Sequence, residues 1–248
     1  QKIACPHCQT RKRSNGKIES YHSMLAATVV APGHSKVVPL GPEFIAKQDG
    51  AEKQDCERNA VKRWHEKHGA RLKPLRPIYL ADDLFACQSV VKMLEDGGDD
   101  FILTCKETSH KALYDFINGA ELERHEAKVR KGKTSETFRY RFIEKVPLRD
   151  GKDAVLVNWI GFEILDAKGV IKYKTAFVTS LPVTKSSLAE IVACGRARWK
   201  IENESFNVLK NHGYEFEHNF GHGENYLAMT LAVLNMLAFA WHTVLDLL

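Results

Sequence analysis

Closely spaced cysteines are nearly absent from this chain. Of six in 248 residues, only Cys5 and Cys8 stand near one another, while Cys56, Cys87, Cys105 and Cys194 are scattered singly. That spacing excludes a disulfide-stapled secreted scaffold and predicts buried single thiols in a reducing cytoplasm. No stretch reads as a secretory leader, and neither internal repeats nor low-complexity tracts are found. Long apolar runs are scarce as well. The one approach to a membrane span, 226–248, is interrupted by Asn235, His242 and Asp246. Such groups are expensive in a bilayer, so the run reads as a buried terminal helix and no membrane partner is expected. Excess charge of one sign is weak: a net +5 is compatible with a polyanionic partner without requiring one.

With 44% hydrophobic and 27% charged residues, the chain can bury the core of one large domain, or of a core domain with an insertion. Residues 1–16 are basic and turn-rich. Strands are expected over Tyr21–Val30 and Lys36–Leu40. A helix then opens on an Asp49/Glu52 capping box, carries Cys56, Ala60 and Trp64 on one face and ends near His68. The apolar strand Ile78–Ala81, placed centrally in a sheet, precedes a helix bearing Val90, Val91 and Leu94. A strand at Phe101–Cys105 and a helix over Ser109–Asn118 follow, and this alternation predicts a parallel α/β layer. From Gly119 the texture changes to an antiparallel meander of strands at Thr137–Val146, Ala154–Leu165 and Ile171–Thr179. A Ser187/Glu190 capping box then opens a helix running to about Asn211, and a His- and Gly-rich loop, 213–223, leads into the terminal helix.

Several residues in this layout suit chemistry. At 100° per residue, Leu188, Val192, Gly195, Trp199, Phe206 and Leu209 share one side of the late helix, and Glu202 falls with them. A carboxylate on that stripe either does chemistry or pairs with Arg198 one turn earlier. Asp82 and Asp83 end a strand where ligands of open α/β sheets gather, although capping the next helix is the alternative use. Cys5-Pro6-His7-Cys8 has the spacing of a zinc knuckle that His7, His22 or Cys56 would complete, with a plain reduced loop as the other reading. His218 and His222 are four apart, but in a glycine loop they suggest packing rather than a second metal site. Arg124, Lys128, Arg130, Lys131, Lys133, Arg139 and Arg141 cluster where the meander starts and would neutralise phosphates, unless the interleaved glutamates mark a solvated face. Trp159 reads as a core tryptophan rather than a base-stacking platform.

Asp82-Asp83-Leu84-Phe85 after an apolar strand and Arg198-Trp199-Lys200-Ile201-Glu202 on a late helix resemble the DDE transposases of bacterial insertion sequences. The sub-group is the one with an Arg-x-x-x-Glu signature and a β-rich insertion. Further likeness lies in 202–210, 217–223, Gln48–Gly50 with Glu52–Glu57, and Cys105-Lys106 with Ser109-His110. The resemblance implies an α/β, ribonuclease-H-like core, with 1–118 as its first part, 119–182 as the insertion and 183–248 as the closing helices. It implies Asp82 (Asp83 in reserve) and Glu202 as catalytic ligands of two Mg2+ or Mn2+ ions. Arg198, Lys210, Lys106 and His110 would contact DNA. Lys210 stands one residue later than the simplest spacing, and Gly195 occupies the place of an expected tyrosine.

The implied activity is metal-dependent strand cleavage and strand transfer on double-stranded DNA, at terminal inverted repeats and target, by a homodimer in a bacterial, nucleoid-associated setting. Zinc at Cys5 and Cys8 would be structural. The family's first aspartate belongs on an Asp-Gly-Thr-type strand that would precede Gln1, so the chain reads as truncated at its amino end. A catalytically inactive remnant that binds DNA and a general metal-dependent nuclease of the same fold are the alternatives, with a zinc-ribbon binding module more distant.

Overall fold

The computed structural model describes residues 4–46, 55–132, 134–218 and 220–248. The Asp49/Glu52 capping box, the motif around it, Lys133 and Asn219 lie outside the described residues. The chain divides into two compact units, one of residues 71–198 and one of residues 1–70 with 199–248.

The unit 71–198 is a mixed α/β layer. Strand β7 (Ile78–Ala81), helix α2 (Gln88–Gly97) and strand β8 (Asp100–Thr104) form a crossover that pairs β7 and β8 in parallel. Helix α2 buries Val90, Val91 and Leu94 and stops at Gly98, whose φ of 66° lets the Gly98 and Asp99 N–H groups cap Glu95 and Leu94 carbonyls. Helix α3 (Lys111–Gly119) follows and buries Leu113 and Ile117. Four antiparallel strands then complete a six-stranded sheet in the order β7-β8-β12-β11-β10-β9: β9 (Glu123–Lys131), β10 (Thr134–Pro147), β11 (Leu156–Leu165) and β12 (Ile171–Thr179). Among the described residues, the β7 strand therefore sits at the sheet edge, not at its centre. Four antiparallel strands replace the three expected, because the charged β9 carries no apolar alternation.

Pleating sorts the two faces of this sheet. Tyr140, Phe142, Ile160, Phe162, Ile164 and Phe177 point to one side and are sealed by Leu188, Ile191 and Val192 of helix α4 (Leu188–Ala197). A bulge between Ile143 and Val146 absorbs an extra residue; Lys145 there has φ 57°, and its N–H donates to Asn158 Oδ1 at 3.0 Å. Ser187 precedes α4 without making the expected capping-box bond; its hydroxyl instead reaches the Pro182 and Thr184 carbonyls at 3.2 Å.

The other unit combines short strands with helices. β1 (Gln9–Lys12) and β2 (Ile18–Tyr21) form a hairpin, β3 (Ser23–Leu25) pairs with β6 (Glu43–Ile45), and β4 (Thr28–Val29) pairs with β5 (Val38–Pro39). The single strand expected over Tyr21–Val30 is thus split among three. Helix α1 (Glu57–Leu72) is clasped by ions: Arg63 bonds Glu43 at 2.7 Å and Asp55 at 2.6 Å, and Lys67 bonds Glu43 at 2.6 Å. Burial would raise both carboxyl pKa values, but these cations outweigh it and hold Glu43 and Asp55 below their ordinary range.

The expected helix to Asn211 is interrupted. After α4 come a turn at Arg198–Trp199, a π-helical segment over Ile201–Phe206, and helix α5 (Asn207–Asn211). The wider π turn takes more residues per revolution, so a stripe drawn at 100° slips out of phase across it. Ser205 and Leu209 stay buried, whereas Trp199 is 56% exposed and Glu202 is exposed. Placing Glu202 on a buried stripe is thereby corrected.

Helix α6 (Leu227–Leu247) is not the buried terminal helix expected either. Met229, Met236, Phe239 and Thr243 form its buried seam, with Phe239 and Met236 joining Val37 and Leu209 in a small core. Leu227, Leu234, Leu237, Trp241, Val244 and Leu248 recur at heptad-like spacing and are exposed. By length and composition alone, α6 is apolar enough to cross a membrane.

Gly195 explains why α4 lies so close to the sheet. A Cβ there would stand 2.8 Å from the Phe177 ring and 3.0 Å from Ile102. Gly195→Val is expected to lower the urea unfolding midpoint, costing about 1–3 kcal/mol through overpacking. An unchanged midpoint would refute the close approach.

Candidate functional site

Two groupings of side chains merit chemical attention, one in each unit. The first lies beyond the carboxyl ends of the parallel strands β7 and β8, where backbone leaves the sheet and side chains converge on open space. Asp82 follows β7 directly, is exposed, and accepts the Leu84 N–H on Oδ1 at 3.0 Å, an Asx-type turn that opens the approach to α2. Asp83 is tied down. Its Oδ1 accepts the Lys106 N–H at 2.5 Å and stands 3.3 Å from His110 Nε2, both partners coming from the segment after β8. The side chains of Asp83 and His110 are nearly buried. Beneath them, burial, with repulsion from Asp83 added, pushes the Cys105 thiol up, and burial chiefly pushes Tyr114 up to about 12 while its hydroxyl donates to the Cys105 carbonyl at 2.8 Å. Two adjacent aspartates therefore have separate work: Asp83 staples the two loops, and Asp82 is presented to solvent.

The sheet face away from the aromatic core belongs to the same unit. Directly opposed residues share a face, so the register puts Arg124 beside Arg141, Glu126 beside Arg139, Arg139 beside Glu163, and Glu163 beside Lys174. Lys128 and Arg130 continue the row on β9. Six cations thus share the face with two carboxylates, and the ion pairs Arg139–Glu126 at 2.7 Å and Arg141–Glu163 at 3.7 Å satisfy only part of that charge. Towards α3 the same face becomes apolar: Trp159 is buried edge-on against Tyr114 and lies over Gly161, where a Cβ would meet the indole at 2.6 Å. Trp159 is a core residue, as expected.

Arg198 is half-buried in the turn that ends α4. Glu202 and Lys210 belong to the unit of 1–70 with 199–248, whereas Asp82, Lys106 and His110 belong to the unit 71–198. Lys200 donates to the carbonyls of Ala31 and His34, holding the start of the π-helical segment, and Lys210 pairs with Glu217 at 2.7 Å.

The second grouping is a metal-ligand set, Cys5, Cys8, His22 and His222, whose four donor atoms all lie within 4.8 Å of one another. Cys5 Sγ is 3.6 Å from Cys8 Sγ and 3.5 Å from His22 Nε2. Cys8 Sγ is 3.6 Å from His22 Nε2 and 3.1 Å from His222 Nδ1, and the two imidazole nitrogens are 3.2 Å apart. The Cys5 N–H donates to Cys8 Sγ at 3.2 Å, and the Cys8 N–H to the Cys5 carbonyl at 3.1 Å, so the Cys-x-x-Cys turn is formed. Sequence reasoning found Cys5, Cys8 and His22 but took His222 for packing. His7 instead stacks on Tyr226 at 4.3 Å, and Cys56 is exposed. Of the four single thiols expected to be buried, only Cys105 is. His222 is 214 positions from Cys8, and its one local signal is the glycine on either side.

No protein-family model matches the chain. A search of curated proteins finds no significant match.

The two aspartates should respond differently to substitution. Asp83→Ala removes the charged acceptor of the Lys106 N–H and the partner of the nearly buried His110 and is expected to destabilise by about 1–3 kcal/mol, whereas Asp82→Asn keeps its Oδ1 and should stay within about 0.5 kcal/mol of wild type. Urea titration reads both, and equal effects would contradict the division of labour.

Proposed function

We propose that this chain is the catalytic portion of a DDE-type transposase, a ribonuclease-H-like α/β protein that cuts duplex DNA and joins it. The observation that carries the reading is Asp82, an exposed carboxylate just past a parallel strand whose neighbour Asp83 anchors the loop beneath it. Asp82 and Glu202 are the ligands this reading gives to two magnesium ions. Both are exposed oxygen donors, which suits a cation that keeps several of its waters and borrows further oxygens from substrate phosphate. When bound, such a pair of ions stabilises the attacking and leaving oxygens of an in-line phosphodiester displacement.

The chain's own residues supply the rest. Arg124, Lys128, Arg130, Arg139 and Arg141 neutralise backbone phosphates on the open sheet face, giving salt-dependent, largely sequence-independent affinity. Lys106, in the loop that Asp83 fastens, and Arg198 and Lys210 add phosphate contacts in this reading. The exposed heptad-like stripe of α6 suits a second copy of the chain in a synaptic dimer. The thiol–imidazole set takes a structural zinc ion.

Cleavage of duplex DNA by the protein in Mg2+ tests this. Asp82→Asn and Glu202→Gln should each slow cutting about 10³-fold, the several kcal/mol expected of a lost metal ligand, while DNA binding persists. Wild-type binding without cutting would leave only a DNA-binding remnant. Cutting indifferent to end sequence would mean a general nuclease, and cutting that survives either substitution would overturn the carboxylate assignment.

A further inference from the structure

We propose that Cys5, Cys8, His22 and His222 form a closed four-ligand zinc site, and that this zinc is the clasp holding the loop 212–226 to the amino-terminal hairpin. The proposal rests on reading the thiol–imidazole set as a zinc site and adds its fourth ligand and its mechanical role. Tetrahedral zinc, with Zn–S near 2.3 Å and Zn–N near 2.0–2.1 Å, requires donor separations of roughly 3.8 Å for S···S, 3.5 Å for S···N and 3.3 Å for N···N. The five measured edges are 3.6 Å for S···S, then 3.5, 3.6 and 3.1 Å for S···N, and 3.2 Å for N···N. Two thiolates and two imidazoles in this arrangement select zinc among common divalent ions, and four protein donors leave no position for substrate. The site is structural.

Its placement defines what it does. Cys5 and Cys8 precede β1, His22 sits between β2 and β3, and His222 lies between α5 and α6 in a stretch whose described residues form no regular secondary structure. Gly221 and Gly223 flank His222 with φ of 87° and 66°, backbone that other residues rarely adopt, and a Cβ at Gly223 would stand 2.6 Å from that of Leu227. The tight turn that presents His222 to the thiols is therefore glycine-dependent. Near its start the loop is fixed by the Phe216 N–H to the Leu209 carbonyl at 3.1 Å and by Lys210–Glu217. Near its end the His7–Tyr226 stack joins it to the segment ahead of the hairpin. His222 is the residue through which the metal restrains the second half of the loop, because the other three donors all belong to the amino-terminal segment.

The test is zinc content by native mass spectrometry, with limited chymotrypsin cleavage at Phe220 and Tyr226, on the full chain with and without a chelator. One zinc per chain is expected, and its removal should accelerate cleavage at these sites at least about tenfold. His222→Ala should weaken zinc more than the roughly 10–100-fold seen for residues that merely support a ligand. His222→Cys, which keeps a donor, should restore both metal and protection, separating ligand loss from misfolding. A protein purified without zinc and unable to take it up would overturn the zinc reading itself. Stoichiometric zinc with His222→Ala unaltered in affinity, or with loop cleavage indifferent to chelation, would leave the metal but overturn the clasp.

Discussion

The two-residue alternation of β10, β11 and β12 is the constraint on which the unit 71–198 depends. Over Phe138–Phe142, Ile160–Ile164 and Tyr173–Phe177, aromatic residues, Ile160, Ile164 and Thr175 alternate with Arg139, Arg141, Gly161, Glu163, Lys174 and Ala176. A one-residue slip of register would send Phe142 and Phe162 to solvent and Arg139 and Arg141 into the core. The hydrophobic face thus fixes where the cations go, and the basic face is a by-product of the same pairing that builds the core. The bulge at Lys145 shows how costly the alternation is to lose: the extra residue is absorbed locally, and Asn158 bonds its N–H so that register resumes beyond it.

The parallel pair β7 and β8 adds a polarity that the meander lacks. Both strands end on the same side, so the loops after them meet, and Asp83 fastens one to the other through Lys106 and His110. An anchored loop can present its neighbour, Asp82, at little cost in chain entropy. Gly195 makes a related contribution on the opposite face: lacking a side chain, it lets α4 approach Phe177 and Ile102 closely. A tyrosine, which the transposase resemblance would expect there, has no room.

What could be read from sequence follows from where the physics is local. The β7–α2–β8–α3 run and the last three meander strands carry strong periodicity bounded by turn residues, and they stand within a few positions of where they were expected. β9 was missed because its stability comes from pairing with β10, not from an apolar pattern of its own. Glu202 was misplaced because a π turn leaves no mark in a 100° projection, and the exposure of α6 was invisible because composition does not say what a helix packs against. The metal set divides the same way: Cys5-x-x-Cys8 is a local signal, whereas His222 reaches it from across the chain. Flanking glycines were its only trace.

The measurement that bears most directly on this account is hydrogen exchange of the chain with and without duplex DNA at moderate salt. DNA-dependent protection is expected over 123–141, on the basic strands, and over 82–87 and 105–110, on the loops past β7 and β8. Protection confined to other segments, or none under conditions where a basic face should bind phosphate, would contradict the assignment of this sheet to nucleic acid.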